Sequence, residues 1–209
     1  MFYKEILIKS MRGMSNLDKK RLVFMEIIGI PVVFLTAIFL HFVYRLSDGA
    51  VWSILVGSVN ESVWEHTKIF TLPYVIYAIW EFMVIKLPFK RFVVAKVIGL
   101  YTIIILIIVL FYTYVGITFK NELSMDVVIA FIAVTIAFVL SYILLINFES
   151  IGSGFNFAVL LLTLFLVMYL LFTIKPPHAD IFLDPRTFSY GVPYSNNQNM
   201  EYYPNARRI

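Results

Sequence analysis

Apolar residues run along the chain in five blocks, roughly 22–44, 63–85, 93–118, 127–148 and 155–174. A helix needs about 20 mostly apolar residues to cross a bilayer, so each block predicts one transmembrane helix. The breaks between them are short and polar or turn-forming: RLSDGAVWS, KLPFKR, FKNELSMD and ESIGSG. Residues 49–60, GAVWSILVGSVN, are too short to span and predict an interfacial or re-entrant piece between the first two helices. The expected architecture is therefore an all-α bundle of five transmembrane helices over 22–174. A basic leader at 1–21 precedes it, and an ordered outer segment at 175–192 and a flexible Asn/Tyr/Pro-rich tail at 193–209 follow.

Composition strengthens the membrane reading. Hydrophobic residues make up 61% of the chain and charged ones 14%, against about 25% charged in a soluble domain. The formal charge of +4 sits in clusters rather than in a stripe, which points to membrane topology and away from nucleic acid. With no cysteine, disulfides, thiolate metal sites and cysteine nucleophiles are excluded. The leader carries a long charged region, and the apolar stretch after it is of full spanning length without a small-residue cleavage site, so it is expected to be retained. Phe2, Ile6 and Met14, with Lys4, Lys9 and Arg12 between them, predict a short interfacial helix or a solvated leader.

Charge also orients the bundle. Lys4, Lys9, Arg12, Lys19, Lys20 and Arg21 of the leader and Lys86, Lys90, Arg91 and Lys96 after the second span fall on one side if the spans alternate. That side is expected to be the cytoplasm, which leaves the N-terminus inside and the tail outside. Asp48, Glu61, Glu65, Glu122, Asp126, Asp180, Asp184 and Glu201 then gather on the outer side.

The stretch Asn60-Glu61-Ser62-Val63-Trp64-Glu65-His66 opens the second span. Ser62 followed by Glu65 is a capping box, Asn60 or Ser62 would satisfy free N–H groups, and Glu61 complements the helix dipole. Trp64 fits an aromatic belt at the interface. Capping leaves His66 unexplained. It also leaves Glu61 and Glu65 as two carboxylates one turn apart, which repel unless a cation or a proton lies between them.

The chain has three histidines, and all are expected at one depth on the outer side. His41 lies about one turn inside the end of the first span and His66 one turn inside the start of the second. His178 follows the fifth span in KPPHADIFLDPRTFSYG, where the Pro-Pro pair ends the helix and aims the segment back over the bundle. Asp184-Pro185 and Tyr190-Gly191 read as turns. Three imidazoles with a carboxylate suit zinc. His41, His66 and His178 are the expected metal ligands, and Glu65 or Glu61 the proton-transferring groups. Asp184, Asp180, Asn60 and Ser62 are the supporting or alternative ligands.

Other polar residues predict structural roles. Glu26, Glu81 and Glu149 lie near inner ends, where they snorkel or pair with basic residues. Pro31 and Pro73 predict kinks. Asn147 and Asn156 flank the last connection as caps, and Gly152-Ser153-Gly154 is a turn.

VNESVWEH followed by Lys68 and Pro73, together with KPPH and FLDPRTFSYG, resembles a family of small five-helix membrane proteins of Gram-positive bacteria with no assigned function. The resemblance covers spans 1, 2 and 5 and the outer segments. It implies that His41, Asn60, Glu61, Glu65, His66, His178 and Asp184 fall within the family's pattern, and it implies no chemistry.

Three functions fit these residues. One is a zinc-dependent membrane hydrolase acting at the outer face on a lipid, a lipid-linked precursor or a surface peptide. The second is a transporter or substrate-capture subunit, against which the scarcity of polar residues in spans 3–5 counts. The third is a non-catalytic accessory or immunity protein that docks through the outer polar cluster.

Overall fold

The computed structural model describes residues 16–85 and 87–192. The expected interfacial helix through Phe2, Ile6 and Met14 and the tail from 193 lie outside those residues. Among the described residues, five helices are long and apolar enough to cross a membrane. In chain order the helices are α1 (Asn16–Leu46), the short α2 (Val51–Val56), α3 (Val63–Ile85), α4 (Phe89–Thr118), α5 (Leu123–Asn147) and α6 (Phe155–Ile174). Single 3₁₀ stretches at Glu149–Gly154 and Asp180–Phe182 precede and follow α6.

Helices are forced on such a sequence because lipid offers no hydrogen-bond partner to the backbone. Thr67, Thr71, Thr102, Thr113 and Thr173 obey the same constraint by donating their hydroxyls to the carbonyl four residues earlier. Both α1 and α3 continue past their prolines, Pro31 and Pro73. α4 starts four residues before the apolar block because Pro88 stands at its N-cap, where a missing N–H costs nothing. The expected caps Asn147 and Asn156 do not form. Phe148 and Gly154 occupy those positions without a side-chain bond, because the 3₁₀ stretch runs directly into α6.

α3 is the central helix, with 56% of its spanning window buried against 22% for the last span. It packs on α1 and α4, α4 packs on α5, and α6 lies outside against α4. Val33, Phe70, Tyr74, Tyr77, Leu100, Ile103, Val134 and Phe138 form the middle of the core. The outward apolar side chains, among them Phe24, Leu35, Phe39, Ile79 and Leu160, face the lipid.

Residues 176–192 fold back over the end of the bundle where α3 begins. Phe182 packs on Trp64 and Phe172, with ring centroids 5.4 and 5.0 Å away. Trp64 is thus 4% exposed, buried beneath this segment rather than placed in an interfacial belt. Leu183 bridges to Tyr190, and Asp184 closes the turn between them by accepting the Arg186 N–H and the Thr187 hydroxyl. Gly191 has a positive φ of 72°, and a Cβ there would press on Pro176.

Helix packing leaves little room at Gly29, where an added Cβ would lie 2.6 Å from Phe138 Cζ and 2.7 Å from Tyr77 Cε1. Alanine is normally the better helix former by about 1 kcal/mol, but overpacking a tight contact costs about 1–3 kcal/mol. Gly29→Ala is expected to lower the thermal unfolding midpoint in detergent, whereas Gly116→Ala, which meets open space, should not.

Candidate functional site

The start of α3 is built by local hydrogen bonds. Asn60 Oδ1 accepts the Ser62 N–H at 2.9 Å, and Ser62 Oγ lies 3.4 Å from the Glu65 N. The second half of the expected capping box is altered, because Glu65 Oε2 accepts the Val59 N–H at 3.0 Å instead of that of Ser62. The same oxygen lies 2.7 Å from Lys68 Nζ, and Lys68 also donates to the Ile54 carbonyl at 3.0 Å. Glu65 and Lys68 are both buried, 3% and 1% exposed. Asn60 Nδ2 reaches the Gly191 carbonyl at 2.9 Å and ties the segment after α6 to this cap.

With Glu65 engaged there, Glu61 alone faces the histidines. Its Oε2 lies 3.8 Å from His41 Nε2 and 3.5 Å from His66 Nε2. The two imidazoles stack with centroids 5.4 Å apart and planes inclined by 20°. Each of the three residues offers one ligand atom, and these atoms all lie within 4.8 Å of one another. Among the described residues this is the one group of three or more that could hold a metal ion.

The other carboxylate oxygen of Glu61 faces arginines. Oε1 lies 3.0 Å from Arg45 and 3.2 Å from Arg186, whose side chains are otherwise exposed. The His66 ring nitrogen, as the largest influence, brings the Glu61 carboxyl from its usual 4.5 down to about 2. Burial opposes this shift, and the charges of His41, His66 and Arg186 reinforce it.

The cluster stands at the head of a cavity of about 330 Å³ between α1, α3, α4 and α5. Phe34, Phe42, Phe70, Ile107 and Phe111 supply apolar walls, while Arg45, Arg186 and Asp126 supply the charges. Asp126 is held by the Tyr114 hydroxyl, 2.8 Å from its Oδ1. The cavity can thus take an amphipathic molecule, with an anionic group at the arginines and an apolar part against the aromatic walls.

The residues expected from the sequence separate into two sets. His41, His66 and Glu61 come together. His178 stands apart, exposed and stacked on Tyr190 at 4.6 Å and 12°, outside the ligand group. Glu65 belongs to the cap and the Lys68 pair. Asp184, 3% exposed, is a turn former, while Asp180 is exposed at the start of a 3₁₀ turn. Asn60 and Ser62 are spent on backbone groups. Three residues of the cavity were missed. Arg45 is four residues after His41, so helical spacing placed it on the same face. Arg186 and Asp126 come from segments whose convergence no local pattern encodes.

Five apolar spans with polar residues directed inward make this a multi-pass integral membrane protein. The chain belongs to a family of unknown function, DUF6512, whose model matches residues 12–192. No curated protein and no solved structure matches it.

Two outcomes test this geometry. A carboxyl whose folded value is depressed stabilises fully above its unfolded value and loses that contribution as pH falls through the folded one. The difference in unfolding midpoint between the native protein and Glu61→Gln should therefore persist down to pH 4.5 and close toward about 2. Removing one partner of a buried pair costs about 3–5 kcal/mol, so Lys68→Met should destabilise strongly in thermal denaturation, and Lys68→Met with Glu65→Met should recover much of the loss.

Proposed function

We propose that this protein is a metal-dependent membrane hydrolase in which His41, His66 and Glu61 hold zinc. The observation that carries the reading is the convergence of three ligand atoms from two spans and their connection at the head of an apolar cavity. Two histidines and a glutamate are a donor set of catalytic zinc sites, with a fourth position left for water. The separations of 3.5 and 3.8 Å between Glu61 Oε2 and the imidazole nitrogens are near the roughly 3.3–3.4 Å edge of a tetrahedron with bonds of about 2.0–2.1 Å. Zinc held there would supply a Lewis acid and lower the pKa of water.

The remaining residues supply binding and proton transfer. Arg45 and Arg186 receive an anionic group such as a phosphate or carboxylate, for which the guanidinium fork is suited. The aromatic walls hold an acyl or isoprenoid tail, so a lipid or lipid-linked substrate fits better than a surface peptide. Asp126, positioned by Tyr114, accepts the proton across the cavity, a role for which Glu65 is badly placed. The basic residues near the far end of the bundle support an orientation with this site at the outer face.

A transporter is the second reading, and one observation favours it. The half of the bundle away from the site also contains buried charges, Glu26 and Glu81 of the first two spans and Lys96 of the third, the last within the spans where the sequence offers few polar residues.

Metal analysis of the detergent-purified full chain separates the readings. About one zinc per chain is expected, lost in His41→Ala, His66→Ala and Glu61→Gln and retained in His178→Ala. Acidification should release it, because imidazole ligates only when deprotonated. Metal content that is absent, or indifferent to these three residues, would overturn the metal reading.

A further inference from the structure

A second constellation of charge lies far from the metal cluster and takes no part in it. Glu26 of α1, Glu81 of α3 and Lys96 of α4 meet near the opposite end of the bundle. Lys96 Nζ lies 2.9 Å from Glu26 Oε1 and 2.6 Å from Glu81 Oε2. Ser141 of α5 donates to the same Glu26 oxygen at 3.0 Å. The three residues are 3%, 0% and 5% exposed, so none snorkels to a surface. The rings of Phe138, Phe92 and Tyr74 surround the ammonium at 5.3, 5.4 and 5.8 Å.

Charge and hydrogen bonding both leave this group incomplete. Two carboxylates and one ammonium sum to one negative charge, and an unbalanced charge in a low-dielectric interior is costly. Glu26 Oε2 and Glu81 Oε1 are buried and have no hydrogen-bond partner. A carboxylate atom in that position lacks a donor, and a proton supplies one while cancelling the excess charge. A metal cation is disfavoured, because Lys96 already fills the space between the carboxylates with positive charge.

We propose that Glu26, Glu81 and Lys96 form a binding site for one exchangeable proton, shared by the two carboxyl groups. Among the described residues, the other titratable groups facing it are two tyrosines of α3. Tyr77 donates its hydroxyl to the Met25 carbonyl, and the Tyr74 hydroxyl is buried beside Ser141. A second cavity of about 240 Å³ reaches Lys96 and Tyr74, and Phe82, Phe89 and other apolar side chains form the rest of its wall. With its proton the triad is neutral. Without it the triad places one negative charge inside the bundle, so gain and loss of the proton switch the local field between two states.

Infrared spectroscopy of the full chain in lipid nanodiscs, with and without carbon-13 glutamate, tests this directly. At neutral pH the carbonyl stretch of one protonated glutamate is expected, shifting on transfer to heavy water. In Glu81→Gln and in Glu26→Gln the band should vanish, because the remaining carboxylate is neutralised by Lys96. In Lys96→Met it should about double, because both carboxyls then hold protons. A native protein without the glutamate band, a band that does not shift in heavy water, or one that survives in both glutamine variants would overturn the proposal. The native measurement needs no variant to fold, and the outcome is independent of metal content.

Discussion

The buried pair of Glu65 and Lys68 is the contact on which the site end of the molecule depends. A carboxylate and an ammonium this deep in an apolar bundle persist only if each finds further partners. Glu65 finds the Val59 N–H and Lys68 finds the Ile54 carbonyl, so the pair binds α2 and the connection after it to the start of α3. That connection carries Glu61. Its position between His41 and His66, on two different spans, follows from an ion pair that touches neither histidine.

The same constraint explains why polar residues concentrate on α3. The central helix meets protein on most sides, so Glu65, Lys68, Thr67, Thr71 and Glu81 can be hidden from lipid and satisfied internally. α6 lies at the rim, and its exposed residues are almost wholly apolar. Polarity is therefore sorted by position in the bundle, not by depth alone. One end gathers charge around a cavity open to an amphipathic molecule, and the other gathers charge around an ammonium enclosed by rings. The aromatic layer of Phe70, Tyr74, Tyr77 and Phe138 belongs to the core of the same bundle.

Residues after α6 do more than end the chain's last span. Phe182 fills the space beside Trp64, the Leu183–Tyr190 bridge and the Asp184 turn fix a short loop, and Arg186 projects from that loop to Glu61. Asp184 thus acts on the cavity only by holding the arginine's backbone. His178, on the near side of the same segment, is directed instead onto Tyr190.

The five spans, their breaks and the short piece between the first two were legible in the sequence because lipid imposes length and hydropathy on each segment separately. His41 and His66 were legible for a related reason, since depth along a span can be counted from its end. Glu61 and Glu65 could not be told apart, because both suit a helix N-terminus, and their roles depend on which one meets Lys68. Lys96 could not be assigned to Glu26 and Glu81, nor Arg186 and Asp126 to the cavity, because these meetings depend on helix rotation and on a fold-back segment. Local pattern determined that there would be five helices with ionisable residues inside them. Packing decided which of those residues neutralise one another and which are left facing a cavity, because that choice is made across helices and not along them.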